Sequence, residues 1–114
     1  MILRILQYIR DIWRGVSFGG LRSNQWPRVR KDFLKKYPNC AVCGTDKKQN
    51  IHHISPFHLK PELELDKKNL ITLCGKNNCH LRFGHLYSFK SYNSDIETDA
   101  KLWNKKIINR PKVV

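Results

Sequence analysis

Acidic side chains are scarce in this sequence: nine Asp and Glu stand against 22 Lys and Arg, a net charge of +13 with the histidines neutral. A compact state this basic repels itself, which points to a polyanionic partner. Charge alone leaves open a ribosomal-type or merely soluble basic protein, and an anionic membrane surface. Long apolar runs are missing as well. No stretch approaches 18 apolar residues, so no transmembrane helix is expected. Arg4, Arg10, Asp11 and Arg14 interrupt the greasy N-terminus too often for a signal-peptide core. There is no internal repeat and no low-complexity segment. These absences lead to the expectation of a cytoplasmic protein, in which four cysteines are metal ligands or free thiols rather than disulfides.

With 40% hydrophobic residues the chain is not compositionally disordered, and 114 residues make one domain with a small core that benefits from an extra staple. Ile2, Ile5, Leu6, Ile9, Ile12 and Trp13 form one helical stripe, followed by a hinge at Gly15, Gly19 and Gly20. Such a helix packs on its own domain or a partner subunit, or, being basic, lies on a membrane surface. The division expected is 1–21 for this helix and hinge, 22–110 for the main domain with its motif core at 40–88, and 111–114 for a tail.

A second helix is predicted from Trp26 to Tyr37. Pro27 suits its first turn, Pro38 ends it, and Trp26, Val29, Phe33 and Tyr37 recur at helical spacing. Arg28, Arg30, Lys31 and Lys35 cover much of its remaining surface, either a solvated face or a phosphate-contacting one. Asn50–Ser55 and Asn69–Leu73 read as short strands around a long loop containing Pro56 and Pro61. A short helix follows from about Cys79. The last helix opens with a capping-box pattern, Ser94-Asp95-Ile96-Glu97, and carries Ile96, Ala100, Trp103 and Ile107 as a core stripe.

Cys40-Ala-Val-Cys43 and Cys74-Gly-Lys-Asn-Asn-Cys79 form two knuckles whose gaps let two thiolates each wrap one tetrahedral ion. Gly44 and Gly75 follow a cysteine in each knuckle, where the backbone must turn tightly. Zn²⁺ held by four thiolates is closed to substrate, hence structural. A redox Cys-x-x-Cys needs one pair only and leaves Cys74 and Cys79 without a reason.

The five histidines are grouped. His52 and His53 are adjacent on the first predicted strand, His80 follows the last cysteine, His85 lies about a turn further on, and His58 sits in the loop. Closing the knuckles draws His80 back towards the strand pair. Adjacent strand residues point to opposite faces, so His52 and His53 divide the work: one metal ligand, one acid/base.

Taken in order, Cys40-x2-Cys43, His52-His53-Ile54-x-Pro56, Asn69-Leu70-x-x-Leu73-Cys74 and Cys79-His80 resemble the zinc-stapled HNH endonucleases. Arg22-Ser23, the Trp26–Pro38 segment and His85-Leu86-Tyr87 also resemble small phage-type members. The resemblance implies an α+β fold: a ββα-metal core with a four-cysteine zinc site and flanking helices. It implies a metal-dependent DNA endonuclease, leaving 5′-phosphate and 3′-hydroxyl ends. His53 resembles the general base, and Asn69 the middle residue that pins the loop between the strands. His80 resembles the metal ligand at the start of the helix, and His52 stands where many members have Asp. His85 is the remaining candidate ligand, though a gap of five from His80 does not suit one face of an α-helix. Arg82 either contacts a neighbouring phosphate or is an exposed helix arginine. A nitrogen-rich site favours Mn²⁺, Ni²⁺, Co²⁺ or Zn²⁺ at least as well as Mg²⁺. The alternative is a non-catalytic zinc-ribbon module that only binds nucleic acid. A monomer, a homodimer and a partner subunit of a DNA-processing complex all fit, in the host cytoplasm if the chain is phage-encoded.

Overall fold

The computed structural model describes residues 23–111. The proposed N-terminal helix and hinge, and nearly all of the proposed tail, lie outside them. Two helices, one antiparallel strand pair and a set of short helical turns make up the described chain.

Helix α1 spans Trp26–Lys36, with Pro27 in its first turn and Lys35 and Lys36 in its last, where cations meet the helix's negative end. Strands β1 (Gln49–His53) and β2 (Leu70–Cys74) pair antiparallel, with Ile51 opposite Thr72 and His52 opposite Ile71. The strand pair lies between two small cores. Phe33, Ile51 and Leu70 pack with Trp26 and Val29, which seats α1 on one side. Val42, Leu73, Ile96 and Ala100 join Cys40, Cys74 and Cys79 on the other, with Ile71 and Phe83 at the margin.

Three sequence expectations change. The helix expected after Cys79 is only a five-residue π-helical turn, His80–Gly84. The capping box does not form: the last helix, α2 (Ile96–Ile108), has Asp95 at its N-cap, and that side chain makes no capping hydrogen bond. Buried Asn93 stands in, its Oδ1 accepting from Asp95 N (2.9 Å) and its Nδ2 donating to Phe83 O (3.0 Å) and Asp99 Oδ2 (2.7 Å). The stripe on α2 is core only in its first half, because Trp103 and Ile107 remain about two-fifths exposed, Trp103 lying against Phe83. The long loop between the strands is not featureless; it winds through 3-10 turns at Pro61–Leu63 and Lys67–Asn69.

Candidate metal centre and active site

The four cysteine sulfurs lie within 4.8 Å of one another. Cys40 N donates to Thr45 O and Gly44 N to Cys40 O, closing the first knuckle, and Gly44 takes the left-handed φ of +80° that such a turn requires. The wider second knuckle turns at Asn78, also left-handed at φ 58°, with Asn78 N bonded to Gly75 O. Burial raises the thiol of Cys40 and, more strongly, that of Cys79. Burial also opposes ionisation of Cys43, but donors led by Asn77 Nδ2, 3.3 Å from its sulfur, outweigh it and bring the thiol down to about 7. A cluster of four sulfurs with one thiol poised to ionise fits a closed tetrahedral zinc site, where thiolates are the ligands.

Cys79 is followed directly by His80, so the same turn that closes the cysteine cluster delivers the first histidine. The π-helical turn answers the awkward spacing to His85. In an α-helix five residues rotate well past one turn, but here His85 N closes on His80 O, five residues back. The two Nε2 atoms end 3.1 Å apart. His52 reaches the pair from β1, its Nδ1 3.0 Å from His80 Nε2. Gly84 makes this approach possible: a Cβ there would lie 3.1 Å from His52 Cε1 and Nδ1 and 3.0 Å from Leu73 Cδ1.

Protonation follows from the partners. His85 Nδ1 faces Ser91 O at 2.8 Å, so it must donate, and the lone pair is left on Nε2, facing His80. Burial, then the neighbouring imidazoles, lowers His52 to about 3; burial and His85 lower His80 to about 4. Imidazoles with converging ring nitrogens are the donor set of a transition-metal ion, and His52 and His80 are held neutral. Their spacing is close to the roughly 3.3–3.4 Å edge of a tetrahedron with metal–nitrogen bonds of about 2.0–2.1 Å.

His53 points the other way. It is buried, its ring lies 4.6 Å from Trp26 at the start of α1, and its Nε2 is 3.0 Å from Glu64 O. A carbonyl only accepts, so Nε2 carries the proton and the basic lone pair sits on Nδ1. The loop that supplies Glu64 is pinned by Asn69. The amide Oδ1 accepts from Ser55 N (2.8 Å), and Nδ2 donates to Ser55 O (3.1 Å) and Leu63 O (3.3 Å). All four histidines, with His58, Phe89 and Lys90, line one cavity of about 280 Å³.

Sequence reasoning did not single out Glu64. It is fully buried; its carboxylate accepts from Ser23 N (2.9 Å), while its backbone carbonyl accepts from His53. Nothing in its neighbourhood of the sequence marks a carboxylate that folds inwards. Among the candidate phosphate contacts, Arg28, Lys31, Lys35 and Arg82 are exposed. Arg30 is half-buried and donates to Gln49 O (3.3 Å), tying α1 to β1.

A strand pair feeding a helical turn, with a cysteine cluster and a histidine cluster beside it, defines a small α+β metal-site domain. The HNH endonuclease family model matches residues 40–85, and that segment is an HNH domain. No curated protein and no solved structure matches the chain. Among the described residues no helix is long and apolar enough to cross a membrane.

Proposed function

We propose that this protein is a metal-dependent endonuclease that hydrolyses DNA phosphodiester bonds. The observation that carries the proposal is the shared cavity: a cluster of His52, His80 and His85 opens onto the same space as His53, whose Nε2 faces Glu64 O.

In this reading His52 Nδ1, His80 Nε2 and His85 Nε2 hold a divalent ion. When bound, such an ion supplies electrostatic stabilisation of charge on the phosphate and the departing 3′ oxygen. His53 Nδ1 takes the proton of the attacking water, and the hydrogen bond from Nε2 to Glu64 O steadies the imidazolium that results. Trp26 fixes the plane of that ring, and Asn69 holds the loop carrying Glu64 in place. The products are 5′-phosphate and 3′-hydroxyl ends. The exposed cations of α1 and Arg82 dock the DNA backbone without reading sequence, so binding weakens steeply with salt. Zinc at Cys40, Cys43, Cys74 and Cys79 is structural.

Supercoiled plasmid tests the proposal. With Mn²⁺, Ni²⁺ or Co²⁺ the protein nicks or linearises it, and these ions serve at least as well as Mg²⁺. His53→Ala abolishes cleavage while DNA binding persists. Equal cleavage by that variant would overturn the assignment, and binding without cleavage under every metal would leave a zinc module that only binds nucleic acid.

A further inference from the structure

The loop that follows His85 gives the histidine cluster one hydrogen-bond acceptor, the Ser91 carbonyl, and it carries the most exposed aromatic rings of the described chain. Tyr87 is 73% and Phe89 69% exposed, with Leu86 and Tyr92 beside them. Apolar rings left in water this close together mark a binding surface in a chain with a small core. The loop is firmly built. Tyr87 N donates to Leu81 O, Ser88 N to His85 O, Ser91 N to Ser88 O and Asn93 N to Gly84 O, all within 3.0 Å. Leu86 and Tyr87 both occupy the left-handed region, at φ 52° and 71°, a conformation that residues with a Cβ avoid. The backbone thus accepts strain in a turn that presents its side chains outward.

The surface is continuous with the site. The Phe89 ring lies 4.9 Å from that of His85 and 6.0 Å from that of His80, and Phe89 and Lys90 both line the cavity. The segment that carries the surface is of one charge: no carboxylate occurs between Asp66 and Asp95 in the sequence, exposed Arg82 and Lys90 flank the loop, and Lys90 lines the same cavity as Phe89. Flat aromatic rings beside cationic side chains, next to the place where the proposed function puts a phosphate, match an unstacked nucleobase.

We propose that Tyr87 and Phe89 form a stacking platform for unpaired nucleobases beside the scissile phosphate, so that single-stranded or locally melted DNA is the preferred substrate. The proposal rests on the nuclease reading for its word "scissile", but the stacking can be measured without any cleavage.

The probe is a short oligonucleotide carrying 2-aminopurine, offered as a single strand, as a matched duplex and as a duplex with a mismatched bubble. Fluorescence is read without added catalytic metal and cleavage with Mn²⁺. The wild-type protein quenches 2-aminopurine in the single strand and the bubble, and cuts both at least tenfold faster than the matched duplex. Phe89→Ala and Tyr87→Ala, at positions too exposed to carry the fold, each weaken single-strand binding by about 5- to 150-fold, the range expected of one aromatic–base stack, and Phe89→Trp restores it. Equal use of all three substrates, or binding indifferent to both alanine variants, overturns the platform and leaves the patch to a protein partner. Quenching that depends on Phe89 with no cleavage keeps the platform and removes the nuclease. Cleavage without preference does the reverse.

Discussion

His80 and His85 are five residues apart in sequence and 3.1 Å apart at their Nε2 atoms, because the turn between them closes as a π-helix. Such turns are rare and concentrate at functional sites. A Cβ on Gly84, at the end of that turn, would press on His52 at 3.1 Å and on Leu73 at 3.0 Å, tighter than ordinary contact, so a neighbour must shift by a few tenths of an ångström. Gly84→Ala therefore displaces His52 and lowers affinity for the catalytic ion by on the order of tenfold or more, comparable to losing a supporting contact around a metal. Titration calorimetry with Mn²⁺ checks this, and zinc content stays at one equivalent because the cysteines are untouched.

Asn69→Ala removes both donations and the acceptance that pin the loop between the strands. The loop carries the carbonyl that orients His53, so the loss falls on kcat more than on KM. A decrease of about 100-fold in plasmid cleavage is expected, with a stability loss of about 1–3 kcal/mol from the buried groups left unpaired. Asn69→Asp keeps one acceptor and loses the donors, and recovers little.

On the proposed reading of the four cysteines as a structural zinc site, removing the ion acts on the whole fold. Cys40, Cys74 and Cys79 belong to the same buried cluster as Val42, Leu73 and Ile96, so losing the ion opens the core. Cys74→Ser is expected to give a protein without bound zinc and without a cooperative thermal transition. Asn77→Ala spares the ligands but removes the donor to Cys43, and weakens zinc retention against a chelator by about 10–100-fold.

The histidine cluster makes stability depend on pH when its ion is absent. His52 and His80 titrate lower in the folded protein, at about 3 and 4, than the ordinary 6.5 of an unfolded chain. The unfolded state therefore binds more protons as pH falls through 6.5, and stability present above that value is lost progressively down to about pH 4 for His80 and about pH 3 for His52. Thermal melts of protein free of the catalytic ion show the drop between pH 7 and 5, and His52→Gln makes it smaller. A variant that drops as much as wild type would show that the cysteines alone set the acid response.

The motif residues were legible because chemistry restricts them: paired cysteines, adjacent histidines on a strand and an Asn heading the next strand have few other uses. His85 was legible as a type but not as a position, since helical periodicity assumes 3.6 residues per turn and the chain here takes a π turn. Helix α1 could be read from Pro27 and Pro38, local signals that act within a few residues. Glu64 could not be read, because its role depends on Ser23 and on His53, partners 41 and 11 residues away. The capping box failed for a related reason. Asn93, one residue before the pattern, reaches both sides of the helix start and displaces it.

Cys79 and His80 are neighbours, one assigned to each metal centre. On the reading proposed here, a single peptide bond joins the staple of the fold to the chemistry, so the geometry of one cluster bears directly on the other. On the same reading, a freshly made chain is harmless to the DNA around it until it has been loaded with zinc.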